Sequence, residues 1–422
     1  MSATLPTTPE EVRAEVSTWL EEAWDPELPL LEWRRRLADS GWACPTWPVE
    51  WYGRGLPPDL GRVATETIRA AGAVGPAIGV GMTLAAATLL AHASDDLKRR
   101  LLRPMITGED TWCQLFSEPG NGSDLAGLTT HARRDGDEWV VSGQKVWTTG
   151  AHHAAYGMLL ARTDWDQPKH RGISFFAFPM RQPGVEVRPL RQMNGRASFN
   201  EVFIDEARVP HENLVGDLND GWRVAQTTLA HERGLAAGLF GAIPPGGGGR
   251  TREEAAAEAS AYLKTYEWYP QRAGRVDLVV PRARAHGREG DPLVRQAAAA
   301  LHATERTARW TADRAVAARR AGRPPGPEGS IGKLSASRIS REAAAAHSLI
   351  AGAHAMLTGP DSPENGIIAE ILVSVPGQSI AGGTDEVQHN ILGERILGLP
   401  KEPSVDADVP FRQVKVNQGR TP

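Results

Sequence analysis

The 422-residue chain sets 47 Lys and Arg against 51 Asp and Glu, a formal net charge of −4, so nothing in its overall electrostatics points to a nucleic-acid partner and none is expected. Its two cysteines, Cys44 and Cys113, cannot build a disulfide framework and stand in no metal-ligand spacing. MSATLPTTPEEVRAEV has no cationic segment leading into an apolar run, and no uninterrupted apolar stretch nears the ~20 residues that span a bilayer, so a soluble, cytoplasmic chain without a membrane partner is expected.

The length leaves room for two or three cores. Residues 1–108 read as helical. PEEVRAEVSTWLEEAW opens on a proline and an acidic first turn, and ELPLLEWRRRLADSGW carries leucines at helical spacing. The Ala- and Leu-rich stretch up to Glu109 reads as two helices broken near Ser94, Asp95 and Asp96. From 109 to 216 the pattern turns to short alternating runs separated by Asp135–Gly136–Asp137 and Gln182–Pro183–Gly184, the pattern of an antiparallel β-domain. Residues 217–402 return to helix, and 403–422 read as a polar, proline-containing tail. The IPPGGGG run at 243–249 lacks the preceding strand of a phosphate-cradling loop and reads as a break or insertion.

The densest chemistry lies between 114 and 149. QLFSEPGNGSDLAGL is turn-rich: Gly120, Gly122 and Gly127 permit positive φ and close backbone approach, and Ser117, Asn121, Ser123 and Asp124 supply short polar side chains. EWVVSGQKVWTT then alternates like a half-buried strand and ends in an aromatic beside two hydroxyls. An ordinary loop and hairpin would satisfy this pattern. So would a grip on a flat ligand, with Trp147 against its ring.

QLFSEPGNGSDLAG and GQKVWTT resemble the flavin-binding middle domain of the acyl-CoA dehydrogenase family. GWACPTWPVEWYGRGL resembles that family's N-terminal domain, GVEVRPLRQMNGRASFNEVFIDEARVPHENLVG the end of its β-domain, and GGTDEVQHNILGERILGLP its second signature. The resemblance implies an α+β fold: a helical N-terminal domain, an antiparallel β-barrel middle domain, and a C-terminal four-helix-type bundle. It implies FAD as cofactor and α,β-dehydrogenation of an acyl-CoA, in which a base removes the Cα proton and the Cβ hydride passes to the flavin. An electron-transfer flavoprotein is the implied acceptor, and a homodimer or homotetramer the implied assembly.

Carried over by position, Gln114, Leu115, Phe116 and Ser117 fall along the flavin edge, with Gly122 and Ser123 in the turn and Ser123 also at the acyl-CoA. Trp147, Thr148 and Thr149 fall on the strand facing the flavin ring; Gly383, Thr384 and Glu386 fall at its ribityl and phosphate region. Glu386 departs from the family's frequent glutamine, and an anion near a pyrophosphate is unfavourable unless it points away.

The base position departs too. Many members carry a glutamate where this chain has Gly382, which offers only a backbone N–H to the thioester oxygen. Branches resembling isovaleryl- and long-chain acyl-CoA dehydrogenases place the base in a Glu-Arg pair after the β-domain. LAHERGLAAGL puts Glu232 there, with Arg233 beside it at the substrate. A helix-surface carboxylate is the plain alternative. Yet Leu229, Ala230, Leu235, Ala236 and Leu239 flank Glu232, the apolar surroundings a carboxylate base requires.

The family's inter-subunit arginine element is absent in its usual form, with Arg282, Arg284 and Arg288 near its place, and LIAGAHAMLTG replaces the paired-glycine segment. These changes keep open a catalytically altered partner in a hetero-oligomer; a separate alternative is a flavin monooxygenase or oxidase on the same fold, acting on something other than a CoA ester. The basic run at 98–103 reads mainly as a solvated helix face. Adjacent His152 and His153 would face opposite sides of a strand, so no metal is expected, and no G-x-S-x-G elbow occurs.

Overall fold

The computed structural model describes residues 6–232, 247–323, 326–404 and 406–414. The chain divides into two compact units, one of residues up to 190, 197–265 and 405 onward, the other of 191–196 and 266–404.

The first unit begins with five helices. In α1 (Pro9–Ala23), Thr8 accepts from the Glu11 N–H while the Glu11 side chain reaches back, and Val12, Val16 and Leu20 form the buried stripe. The helix α2 (Leu30–Asp39) buries Trp33 and Leu37, and α3 (Pro58–Ala70) buries Val63, Ala64 and Ile68 against the same core. A single π-helical turn, Gly81–Ala85, leads into α4 (Ala86–His92). Ser94 caps α5 (Asp95–Thr107), so the break falls where the Ser-Asp-Asp cap predicts it.

Eight strands follow: β1 (Trp112–Leu115), β2 (His131–Asp135), β3 (Glu138–Thr149), β4 (Tyr156–Arg162), β5 (Ile173–Pro179), β6 (Val185–Leu190), β7 (Phe199–Pro210) and β8 (Leu214–Val215). They form one sheet in the order β6-β7-β3-β2-β4-β5-β8, with β1 on β4. Two details refine the antiparallel-barrel expectation. Strands β1 and β2 run parallel to β4, and among the described residues no pairing joins β6 to β8. Parallel pairing is possible here because the loop after β1 and the long β3 hairpin supply the crossover that a tight turn cannot. Strands β4 and β5 are buried along nearly their whole length and therefore read as continuous apolar runs.

Helix α6 (Gly221–Glu232) returns to the N-terminal helices, where Thr228 and Thr88 share a buried hydrogen bond of 2.8 Å between hydroxyls. The helix Arg250–Lys264 docks there as well. Glu254 accepts from the Leu30 N–H at 2.8 Å, and Glu258 takes two hydrogen bonds from the buried Arg34 guanidinium, at 2.6 and 3.0 Å. The residues of IPPGGGG before Gly247 lie outside the described residues.

The stretch read as a tail is partly packed. Phe411 is buried, its N–H donates to the Gln167 carbonyl at 2.9 Å, and Asp406 meets Lys169 at 3.0 Å. Two buried apolar residues, Phe411 and Val414, inside a polar, proline-containing sequence seat it.

The second unit is helical, with its longest elements at Pro292–Arg320 and Glu328–Ala351. Its most apolar part, 363–396, is broken by left-handed backbone at Glu364 and Asn365 and by the extended Ala381, so it is not one continuous helix.

Candidate active site

Strand β1 is held between two layers. Cys113 and Leu115 are fully buried, while Gln114 between them is half-buried, opposite Met158 of β4. Phe116 continues inward and meets the Phe175 ring edge-on, 6.0 Å between centroids. Ser117 is tied to β3, its carbonyl accepting from the Val146 N–H at 2.9 Å.

The turn that follows closes on itself through reciprocal backbone bonds between Glu118 and Asn121. Gly122 and Ser123 are exposed at its tip. Positive φ is not what these glycines supply: neither Gly122 nor Gly127 is left-handed. Gly127 serves close approach instead, because an added Cβ would lie 2.7 Å from the Asn121 amide oxygen.

A buried ion pair, absent from the sequence expectations, anchors this turn. Lys145 and Glu118 are 2.9 Å apart with side chains essentially sealed from water. Glu118 also accepts from the Thr129 and Thr130 N–H groups at 2.7 and 2.8 Å, and Lys145 donates to the Phe116 carbonyl at 3.1 Å. Burial alone would raise the Glu118 carboxyl, but Lys145 and these donors outweigh it and push it down to about 2. A lysine at an inward position of an alternating strand, with no other charge beside it in GQKVWTT, was the available signal.

Strand β3 does not alternate cleanly to its end, because its register against β7 shifts between Lys145 and Thr148. Trp147 sits in that bulge with φ of 62° and is 56% exposed, its ring edge-on to Phe199 at 5.6 Å. Bulges re-aim side chains beside active sites, and this one delivers an indole to the surface. Thr148 is buried with its hydroxyl unpartnered, its carbonyl accepts from Asn200 Nδ2 at 2.8 Å, and Thr149 is half-buried. An exposed indole, an unmet buried hydroxyl and the half-buried Ser117 and Thr149 fit a flat heteroaromatic cofactor with polar edges, which is what a flavin is.

Glu232 ends the described part of α6. Gln114 Nε2 donates to Glu232 Oε2 at 3.3 Å, so the proposed base lies against the strand assigned to the flavin edge. One turn earlier, Thr227 is bonded to His92 Nε2 at 2.7 Å, and Leu229 packs on the main core. Arg233, Leu235, Ala236 and Leu239 lie outside the described residues.

The second-signature loop belongs to the second unit. Gly382 and Gly383 take left-handed φ of 68° and 86°. The Thr384 hydroxyl caps the following helix, accepting from the Val387 N–H at 3.2 Å. Asp385 pins the loop through Lys333 at 3.1 Å and Arg341 at 2.6 Å. Desolvation would raise the Asp385 carboxyl, but these partners and Ser337 hold it well below the usual range. Glu386 is exposed in the first helical turn, where the backbone donors and Thr384 lower its carboxyl.

The three candidate arginines separate. Arg282 is buried between Glu364 at 2.5 Å and His347 Nδ1 at 2.9 Å, and Arg288 pairs with Asp291 at 2.6 Å. Among the described residues, Arg284 is the one of the three left exposed without a partner. The basic run of α5 is neutralised within the chain: Lys98 by Asp95, Arg99 by Asp96, Arg100 by Glu212 and Arg103 by Asp39. His152 and His153 lie in the turn after β3 rather than on a strand, and their rings approach to 3.9 Å instead of facing apart. No cluster of three His, Cys, Asp or Glu that could hold a metal occurs among the described residues.

Family models described as the acyl-CoA dehydrogenase N-terminal, middle and C-terminal domains match residues 7–109, 113–207 and 273–397. The chain is 38% identical to the acyl-CoA dehydrogenase FadE34 of Mycobacterium tuberculosis over 86% of its own length, but spans only 46% of that protein. It is 33% identical to the acyl-CoA dehydrogenase IpdE1 of the same organism, over 93% of this chain and 98% of that one. Among solved structures, the Tcur3481-Tcur3483 steroid ACAD is similar at a TM-score of 0.64 and 26% identity, covering 95% of this chain and 100% of that one.

Proposed function

The chain belongs to the acyl-CoA dehydrogenase family, and from that premise we propose that it converts an acyl-CoA thioester to the 2-enoyl-CoA with Glu232 as base. The observation that supports this most is the seating of Glu232 against Gln114, because it puts a carboxylate beside β1 with no competing acid at position 382. The Glu232 carboxylate takes the Cα proton; the electron pair left behind becomes the new Cα=Cβ bond as Cβ–H departs as hydride. FAD, when bound, supplies the two-electron acceptor for that hydride. Ser117, Trp147, Thr148 and Thr149 would hold its ring system, and Gln114 to Phe116 its edge. Electrons would leave through an electron-transfer flavoprotein, and the cytoplasm is the proposed compartment.

A bulky, ring-bearing acyl group is the proposed substrate class, supported by the steroid ACAD among the similar structures. The test is anaerobic bleaching of the bound flavin by butyryl-, isovaleryl-, octanoyl- and a steroid-side-chain acyl-CoA. We expect the steroid ester to bleach fastest, with Glu232→Gln keeping its FAD and losing the bleaching. A Glu232→Gln variant that bleaches at the wild-type rate would remove Glu232 from its role. Rapid oxygen consumption without CoA dependence would replace the dehydrogenase reading by the oxidase one.

The engagement of Arg282 and Arg288 within the chain favours a second reading, in which a different subunit completes the FAD site. FAD per chain decides this on protein purified alone. A value near one supports a homo-oligomer, and a value well below one a hetero-oligomer.

A further inference from the structure

We propose that Gln114 is a positioning residue for the base: its side-chain amide holds the Glu232 carboxylate in the orientation from which it accepts the proton. This rests on the reading of Glu232 given above. By position in the sequence, Gln114 belongs only to the flavin edge; because its side-chain amide is engaged by Glu232, it is the backbone that we assign to that edge.

The two residues sit on different elements of the same unit. Gln114 is the half-buried residue of a strand whose neighbours Cys113 and Leu115 are sealed in the core, and it is in register with Met158 across β4. Glu232 is on α6, where the side-chain bonds of Thr227 to His92 and Thr228 to Thr88 lie about one turn earlier. The terminal torsion of a glutamate is broad, so each donor on a rigid element restricts the orientations its carboxylate takes. An amide N–H delivered from a rigid strand, 3.3 Å from Oε2, narrows that distribution. Glutamine suits this role because it donates without bringing a charge or a second titrating group, and its two-carbon stem crosses from strand to helix.

The full chain with bound FAD is used, with whichever acyl-CoA of the four above bleaches it fastest. Gln114→Leu, Glu232→Gln and the double variant are compared for FAD per chain, acyl-CoA dissociation constant and bleaching rate at saturation. A crystal structure of Gln114→Leu supplies the Glu232 rotamer. Gln114→Leu should keep its FAD and its dissociation constant while bleaching slows about 10- to 100-fold, the cost of a misplaced catalytic group. Glu232 should occupy a new rotamer or several. In the Glu232→Gln background, adding Gln114→Leu should change the residual rate little, since the two act as a unit.

Gln114→Asn keeps an amide too short to reach; it should slow bleaching to a similar degree and serves in place of the leucine variant if that one fails to fold. Wild-type bleaching in both Gln114 variants, an unmoved Glu232, or undiminished slowing in the Glu232→Gln background overturns the inference while leaving Glu232 as base. Wild-type bleaching in Glu232→Gln alone overturns the base reading and, with it, the inference.

Discussion

The Glu118 carboxylate and the Lys145 ammonium lie 2.9 Å apart, both sealed from solvent, and join the turn after β1 to the strand that ends in Trp147. The two halves of the proposed flavin grip are therefore fastened by one charge pair. Lys145→Met removes the cation and leaves Glu118 buried and uncompensated. We expect a loss of about 3–5 kcal/mol in urea unfolding of the unit, with much of it recovered by adding Glu118→Gln. Equal instability of the single and double variants would count against the pairing.

Acid should act on the same pair. The Glu118 carboxyl is pushed down to about 2 from a usual value of 4.5. A depressed carboxylate contributes stability that is present above its unfolded pKa and lost as pH falls through the folded one. Wild-type protein should therefore lose part of its stability between pH 4.5 and about 2. Glu118→Gln should show a shallower decline over that window in pH-dependent thermal melts.

Trp147 separates stability from cofactor retention. Its ring is 56% exposed, so Trp147→Ala should shift stability of the FAD-free protein by only about 0.5 kcal/mol. FAD dissociation, followed by fluorescence on dilution, should speed at least several-fold. Trp147→Val should be about 1–2 kcal/mol worse than Trp147→Gly, because φ of 62° suits a β-branched residue poorly.

Phe411 ties the C-terminal segment to the β-domain. The Arg162 guanidinium stands 3.4 Å from its ring centroid while donating to the carbonyls of Ala126, Leu128 and Lys169. Those carbonyls include two from the loop after the 118–121 turn. Phe411→Ala should cost about 3–5 kcal/mol, since it opens a cavity against a buried cation. Deleting 406–414 should cost at least as much in thermal melts; an unchanged melt would show the segment to be a loose appendage.

Features that depend on a few neighbouring residues were legible without the fold. The break read at Ser94–Asp95–Asp96 is the cap of α5, and the proline and acidic first turn read at the start of the chain belong to α1. The strands appeared at their alternating or apolar runs for the same reason: helix caps, turns and side-chain periodicity are set within about one turn or one hairpin. Bulges are less visible. The half-buried alternation expected through GQKVWTT fails at Trp147, because a register shift depends on how β7 lies beside β3.

The sequence by itself determined the family and the order of its helical and β parts, and it singled out the short segments that we assign to the cofactor. The tertiary structure decided which of those residues meet. Glu118 finds Lys145 across 27 positions and Gln114 finds Glu232 across 118, and no local pattern encodes either distance. It also showed that Arg250–Lys264 serves the N-terminal helices and that Phe411 returns to Arg162. Burial explains the division: a charged or polar group deep in a fold must be satisfied by whatever the topology brings within about 3 Å, and that partner is chosen in space rather than along the chain.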